Sequence, residues 1–287
     1  MRYTPYMYTS PDDPAREDDG LFGPASVTWR VMSSRIMWVA VVRALYLQAL
    51  HPRVIRGTLQ NAPTITDPVD AWARLRRTRL FIETRTFGTT AEAERAGRRV
   101  HKIHETLTGA DPDGTRYRID DPELLLWVHC GEVTSAVDIA RRSRLPFSGS
   151  DLDAFVREQR TSAELIGIDR AAAPASTAEL DAYYREIRPT LYACDEAKES
   201  LRLTIHPPVP DGNRVLKLGL PPFSALAFST LPGWARQMYG RPSGLVSDVA
   251  ATGGIRAARL ALRQERLFVG AMRAIHRAET AGDNPGT

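Results

Sequence analysis

The chain has 287 residues, 43% of them hydrophobic and 25% charged, which is enough apolar material to bury one large core. Its 38 basic and 34 acidic side chains are interspersed and leave a formal charge of only +4, too weak a bias to point to nucleic acid. Two cysteines, Cys130 and Cys194, exclude a disulfide framework and a four-thiolate zinc site and fit a reducing cytoplasm.

Residues 1–20 are acidic and proline-containing, without the basic-then-apolar order of a signal peptide, and read as a flexible tail. Residues 26–50 predict a first long helix, stopped where Pro52 disfavours helical geometry at His51. Its most apolar part, Ile36 to Leu50, is broken by Arg43 and Gln48 and falls short of the roughly 20 residues that cross a bilayer. A second helix is expected over 68–87 with Asp67 as N-cap, and a third over 91–107, capped by Thr89 or Thr90 and terminated by Gly109. Asp120-Asp121-Pro122 opens the next, to about Arg142, with proline at the favoured first position. Further helices are predicted at 150–166, 177–187, 190–203, 222–239 and 255–279, with one longer connection from His206 to Pro222. The expected architecture is all-α: a single multi-helix domain over 21–280 and a disordered tail at 281–287.

Several chemistries are absent from the pattern. There is no glycine-rich dinucleotide or phosphate loop, no Gly-x-Ser-x-Gly elbow and no Cys-x-x-Cys-His for covalent haem. A helical di-iron site needs Glu-x-x-His twice, yet the residues three before the histidines are Gln48, Arg98, His101, Leu126, Leu203 and Arg273.

On the third helix Ala93, Ala96, Gly97, Val100, Ile103, His104 and Leu107 make one stripe, so His104 belongs to the apolar face while His101 falls on the polar one. Small residues one to three turns before His104 would let a flat group approach, as beside a proximal haem histidine. Periodicity equally allows a hydrogen-bonded core histidine and a glycine that serves helix packing. On the second helix Arg74, Arg77, Thr78, Phe81 and Arg85 share a face, suited to a ligand's carboxylates or equally to a solvated surface. His129 shares a stripe with Leu126, Cys130, Val133 and Val137 and is either a competing ligand or a satisfied core residue. His51, His206 and His276 have weaker local cases, at a helix end, a Pro-rich loop and the C-terminal region.

Six ordered segments, 23–30, Leu47-Gln48-Ala49-Leu50-His51-Pro52, 74–78, Thr86-Phe87-Gly88-Thr89-Thr90, Val100-His101-Lys102-Ile103-His104 and 121–129, together with 231–240, which opens Leu231-Pro232-Gly233-Trp234, resemble the rubber oxygenase and mycophenolic-acid-pathway oxygenase catalytic domains. The resemblance covers roughly 21–245 and implies a globin-like helical core around non-covalent haem b. It puts the proximal ligand on His104 and a near-haem basic-and-threonine tract on Arg74, Arg77 and Thr78. Gly97, Val100, His129 and His51 complete the expected cofactor surroundings. Where some rubber oxygenases carry a lysine able to approach the iron, this chain has Arg77, which stays protonated and cannot ligate. The segment Thr58-Leu59-Gln60-Asn61-Ala62 also departs from the His-Ser-x-Phe-Arg-like run of many relatives.

The expected function is oxidation of an apolar organic small molecule with dioxygen or peroxide, with no nucleic acid and no transmembrane segment, and a homodimer left open. Two other classes stand beside it: a haem-binding sensor or carrier without turnover, and a non-haem helical module whose segment Ile255 to His276 docks a partner.

Overall fold

The computed structural model describes residues 17–62, 64, 66–209, 214–241 and 244–263. The expected tail at 281–287, His276, most of the tail at 1–20 and the later part of the helix at 255–279 lie outside the described residues. Within them the chain is all-α: twelve α-helices and one two-stranded hairpin. No helix among the described residues is long and apolar enough to cross a membrane.

The expected first helix is two, α1 (Val27–Met32) and α2 (Met37–Gln48). Ser33 folds its hydroxyl and its amide back onto the Trp29 carbonyl, the local competition by which serine ends a helix. Pro52 does not merely stop a helix; it occupies the first turn of another, α3 (Pro52–Gln60), with His51 in extended geometry at its N-cap. The helices α4 (Pro68–Phe87), α5 (Thr90–Thr106), α6 (Pro122–Arg142), α7 (Gly149–Leu165) and α8 (Thr177–Ile187) follow the sequence pattern to within a residue or so, each entered by a capping side chain.

Gly109 does not terminate α5. It lies in β1 (Thr108–Ala110), paired antiparallel with β2 (Arg116–Arg118) across Asp111-Pro112-Asp113-Gly114. A side chain at Gly109 would collide with the ring of Tyr117, so the glycine serves this close approach. After a 3-10 turn at Arg188–Thr190 come α9 (Asp195–Ile205) and α10 (Arg214–Ser229). The helix expected from 222 therefore starts earlier and carries Pro221 and Pro222 inside it. The break falls instead at 230–232, before α11 (Gly233–Met238), and α12 (Leu245–Arg263) closes the described chain.

Packing follows from α2 lying along α6, with α10 against α2. Val39, Tyr46, Leu47 and Leu50 of the α2 region meet Trp127, Val133 and Ile139 of α6, all nearly or wholly removed from water. Each such side chain contributes on the order of 1.5–3 kcal/mol. A smaller cluster, Leu125, Ala163, Ile166, Ile168 and Ala173, is covered by Phe81 of α4 and Val100 of α5, and it fixes the α4–α5 pair onto the body of the protein.

Candidate functional site

Helices α4 and α5 form a hairpin whose geometry is set at its ends. Asp67 accepts from the amides of Val69 (2.8 Å) and Asp70 (3.1 Å) and starts α4. Gly88 and Thr89 are extended, and Thr89 and Glu92 exchange side-chain and backbone hydrogen bonds in a capping box that starts α5. Phe87 at the turn packs edge-on against Trp29 of α1, with ring centroids 5.0 Å apart. At 1.5 Å rise per residue, Arg74 lies about 21 Å back from Gly88 and His104 about 22 Å forward from Thr89. The two stand level on adjacent helices.

His104 is half-buried, and its Nδ1 is sealed from water with no hydrogen-bond partner. Burial pushes its pKa below the ordinary imidazole value; the neighbouring His101 and Arg74 act in the same direction, and Asp120 partly opposes them. A neutral imidazole results, the form that binds a metal. Two large apolar side chains flank this level of the hairpin in the open: Leu75 is 38% exposed and Ile103 47%.

Arg74, Arg77 and Thr78 all lie on the exposed side of α4. Arg74 nevertheless has its pKa lowered, first by loss of hydration and then by Arg77. Arg74 is thus an electrostatic neighbour of both Arg77 and His104.

Other expected site residues are placed differently. Val100 sits one turn before His104 and packs into the small cluster with Phe81. Gly97 offers no shelf to a flat ligand: a Cβ there would lie 2.8 Å from the carbonyl oxygen of Leu165, so its smallness serves the approach of α5 to α7. His101 does not simply face water. Its Nδ1 is 3.3 Å from the Ile166 carbonyl, its Nε2 is 3.4 Å from Glu105, and its ring covers Gly167, whose φ is +91°. It holds α5 to the end of α7.

His129 is buried inside the molecule, and loss of hydration pushes it down to about 4, with Glu132 opposing and Arg85 adding. Arg85 leaves the exposed arginine stripe altogether: it pairs with Glu132 at 2.5 Å and lies 5.3 Å from the centre of the Phe81 ring. Sequence reasoning missed this ion pair, although Glu132 follows His129 by three residues on one helix face. His51, at the N-cap of α3, has a buried Nδ1 without a partner, and its charged neighbours are Arg53, Asp111 and Asp121. His206 ends α9 at the surface.

Among the described residues no three His, Cys, Asp or Glu side chains group to hold a bare metal ion. A metal carried inside a macrocycle needs one imidazole from the protein; His104 and His51 both have a lowered pKa and a buried, unpartnered Nδ1, and of the two His104 is the one beside Arg74.

Neither the curated proteins nor the solved structures contain a match to the chain. The family model described as ER-bound oxygenase mpaB/B'/Rubber oxygenase, catalytic domain, matches residues 29–264, a span that runs from α1 through α12 and includes the whole α4–α5 hairpin. The chain belongs to this family of oxygenase catalytic domains.

Proposed function

We propose that the chain is a haem b-dependent oxygenase of an apolar organic small molecule, in which His104 would hold the iron. The observation that carries this reading is the neutral imidazole of His104, level with Arg74 and flanked by exposed apolar surface, in a family of oxygenases. Haem would supply the redox chemistry by which dioxygen or peroxide is activated. The reading includes helices wrapped around the macrocycle in a globin-like way.

In this reading the chain's own residues bind and orient. His104 would hold the iron through a ring nitrogen that burial keeps from being protonated. Arg74 and Arg77 hold the propionate carboxylates or a bound anion through charged hydrogen bonds, and Thr78 adds a hydroxyl donor. Leu75 and Ile103 cover the apolar part of the macrocycle or substrate and exclude water.

The test is the absorption spectrum of the protein purified from haem-sufficient cells, before and after dithionite and carbon monoxide. A Soret band that shifts in the ferrous carbon monoxide form is expected, with oxygen uptake that depends on an added organic substrate. A colourless protein from haem-replete cells would overturn the cofactor, and a red one without turnover on any substrate would make the chain a sensor or carrier.

A further inference from the structure

A cavity of about 380 Å³ opens between α2, α6, α8 and α11, and none of the residues that line it lies on α4 or α5. That volume is within the range of small-molecule sites. Two aromatic rings line it, Tyr184 and Trp234, tilted against each other with centroids 6.1 Å apart; Trp127 backs Tyr184 edge-on at 5.5 Å, and the Arg188 guanidinium lies 4.9 Å from the centre of the Trp234 ring. Tyr184 is only 7% exposed, and its hydroxyl is buried without a hydrogen-bond partner. An unsatisfied buried hydroxyl is costly, and native proteins seldom keep one without a use. Burial also raises the Tyr184 pKa well above its usual value, so the group is a donor at any physiological pH.

The charges around the opening do not cancel. Arg141, Arg185 and Arg188 all line it, and none of them is paired with a carboxylate among the described residues. Asp138 on the same wall is already taken by Arg142 at 2.8 Å and Arg43 at 3.5 Å, which leaves Asp181 as the opposing acid. The Arg188 guanidinium lies over the Trp234 ring and has no carboxylate partner among the described residues, so its N–H donors are available to grip an oxyanion in two-point fashion. Leu47, Val137 and Leu180 supply the apolar remainder of the lining.

We propose that this cavity is a second ligand site, separate from the α4–α5 face, that takes a small organic anion. Its carboxylate or phosphate-ester head is held by Arg185, Arg188 and the Tyr184 hydroxyl, and its apolar body lies against Leu47, Leu180 and Trp234. The proposal does not depend on the haem reading.

Calorimetric titration of the full chain tests it, with benzoate and phenyl phosphate as probes and benzyl alcohol and inorganic phosphate as controls. One or both aromatic anions bind, the alcohol does not, and inorganic phosphate binds more weakly than its phenyl ester. Benzoate alone or phenyl phosphate alone identifies the preferred head. The Arg185→Gln/Arg188→Gln double variant, altered only at exposed positions, weakens binding about tenfold or more, and Tyr184→Phe weakens it several-fold. Added imidazole does not displace the probe. The proposal is overturned if neither aromatic anion binds, if the double variant binds as the wild type does, or if inorganic phosphate binds as well as phenyl phosphate.

Discussion

Arg74 of α4 and His104 of α5 stand level across the helical hairpin, and the guanidinium is one of the charges that hold the His104 imidazole below its ordinary pKa. An arginine keeps its charge over the whole working pH range. Together they place a permanent cation beside a ring whose protonation is disfavoured, which suits an anionic group and a metal at the same face.

If Arg74 and Arg77 meet carboxylates of a bound group, each change to Ala removes a charged hydrogen bond worth about 1.5–3 kcal/mol, against about 0–1 kcal/mol for an exposed ion pair. Haem loss measured by transfer to apomyoglobin is therefore faster in Arg74→Ala and Arg77→Ala than in the wild type. Arg74→Ala also raises the pKa of His104, read from its ring resonances in the haem-free protein, because one of the charges that lower it is gone. Wild-type retention and an unmoved His104 titration in both variants would return the two arginines to plain surface charge.

Gly97 separates two explanations of a small residue. A Cβ would be 2.8 Å from the Leu165 carbonyl and 3.0 Å from its Cβ, so Gly97→Ala forces α5 and α7 apart. Overpacking of this kind costs about 1–3 kcal/mol, or roughly 2–4 °C of Tm per kcal/mol in a chain of this size. The expected outcome is a lower Tm with an unaltered visible spectrum. An unchanged Tm with loss of haem would give the glycine back to the ligand.

The capped helices were legible because their signals are local. Asp67, Thr89, Asp121 and Ser148 each accept from an amide two or three residues ahead; the apolar stripe of α5 was legible only in part, since His104 is half-buried and Ile103, expected on the same stripe, is 47% exposed. Pro52 and Pro222 misled because proline can start a helix or sit within one as well as precede a break; α3 and α10 depend on that. The roles of His101, Gly97 and Arg85 were not legible. Each is fixed by a residue far along the chain, Ile166, Leu165 and Glu132 respectively, and one helix's periodicity carries no record of what packs against it.

Acid should destabilise the protein through its buried histidines. His129 is held down to about 4 against 6.5 when unfolded, so between these values the unfolded chain binds more protons and stability falls as pH falls. His51 and His104 are shifted the same way. The His129 contribution, on the order of 3 kcal/mol, is fully present above pH 6.5 and gone below about 4. The Tm of the wild type should drop across this window, and His129→Gln should flatten the slope. An equal slope in both proteins would mean that His129 is not the group that titrates.

The ligand assignment is decided by a comparison of three histidines. His104→Ala removes the neutral imidazole at the open face and should give a protein without tightly held haem, which external imidazole partly restores by entering the vacated space. His101→Ala is the informative control, since the two rings are three residues apart and about 300° around the helix. His101 bonds toward Ile166 and Glu105 and covers Gly167, so its loss should lower the Tm while the haem spectrum stays that of the wild type. His129→Ala should likewise leave the Soret band in place, because that ring lies with Glu132 and Arg85 inside the protein. With Arg77 unable to ligate, the resting ferric form should accept cyanide or imidazole readily. A His104→Ala protein that keeps full haem, beside a colourless His129→Ala protein, would move the axial ligand to α6 and make the Arg85–Glu132 pair the polar wall of the site.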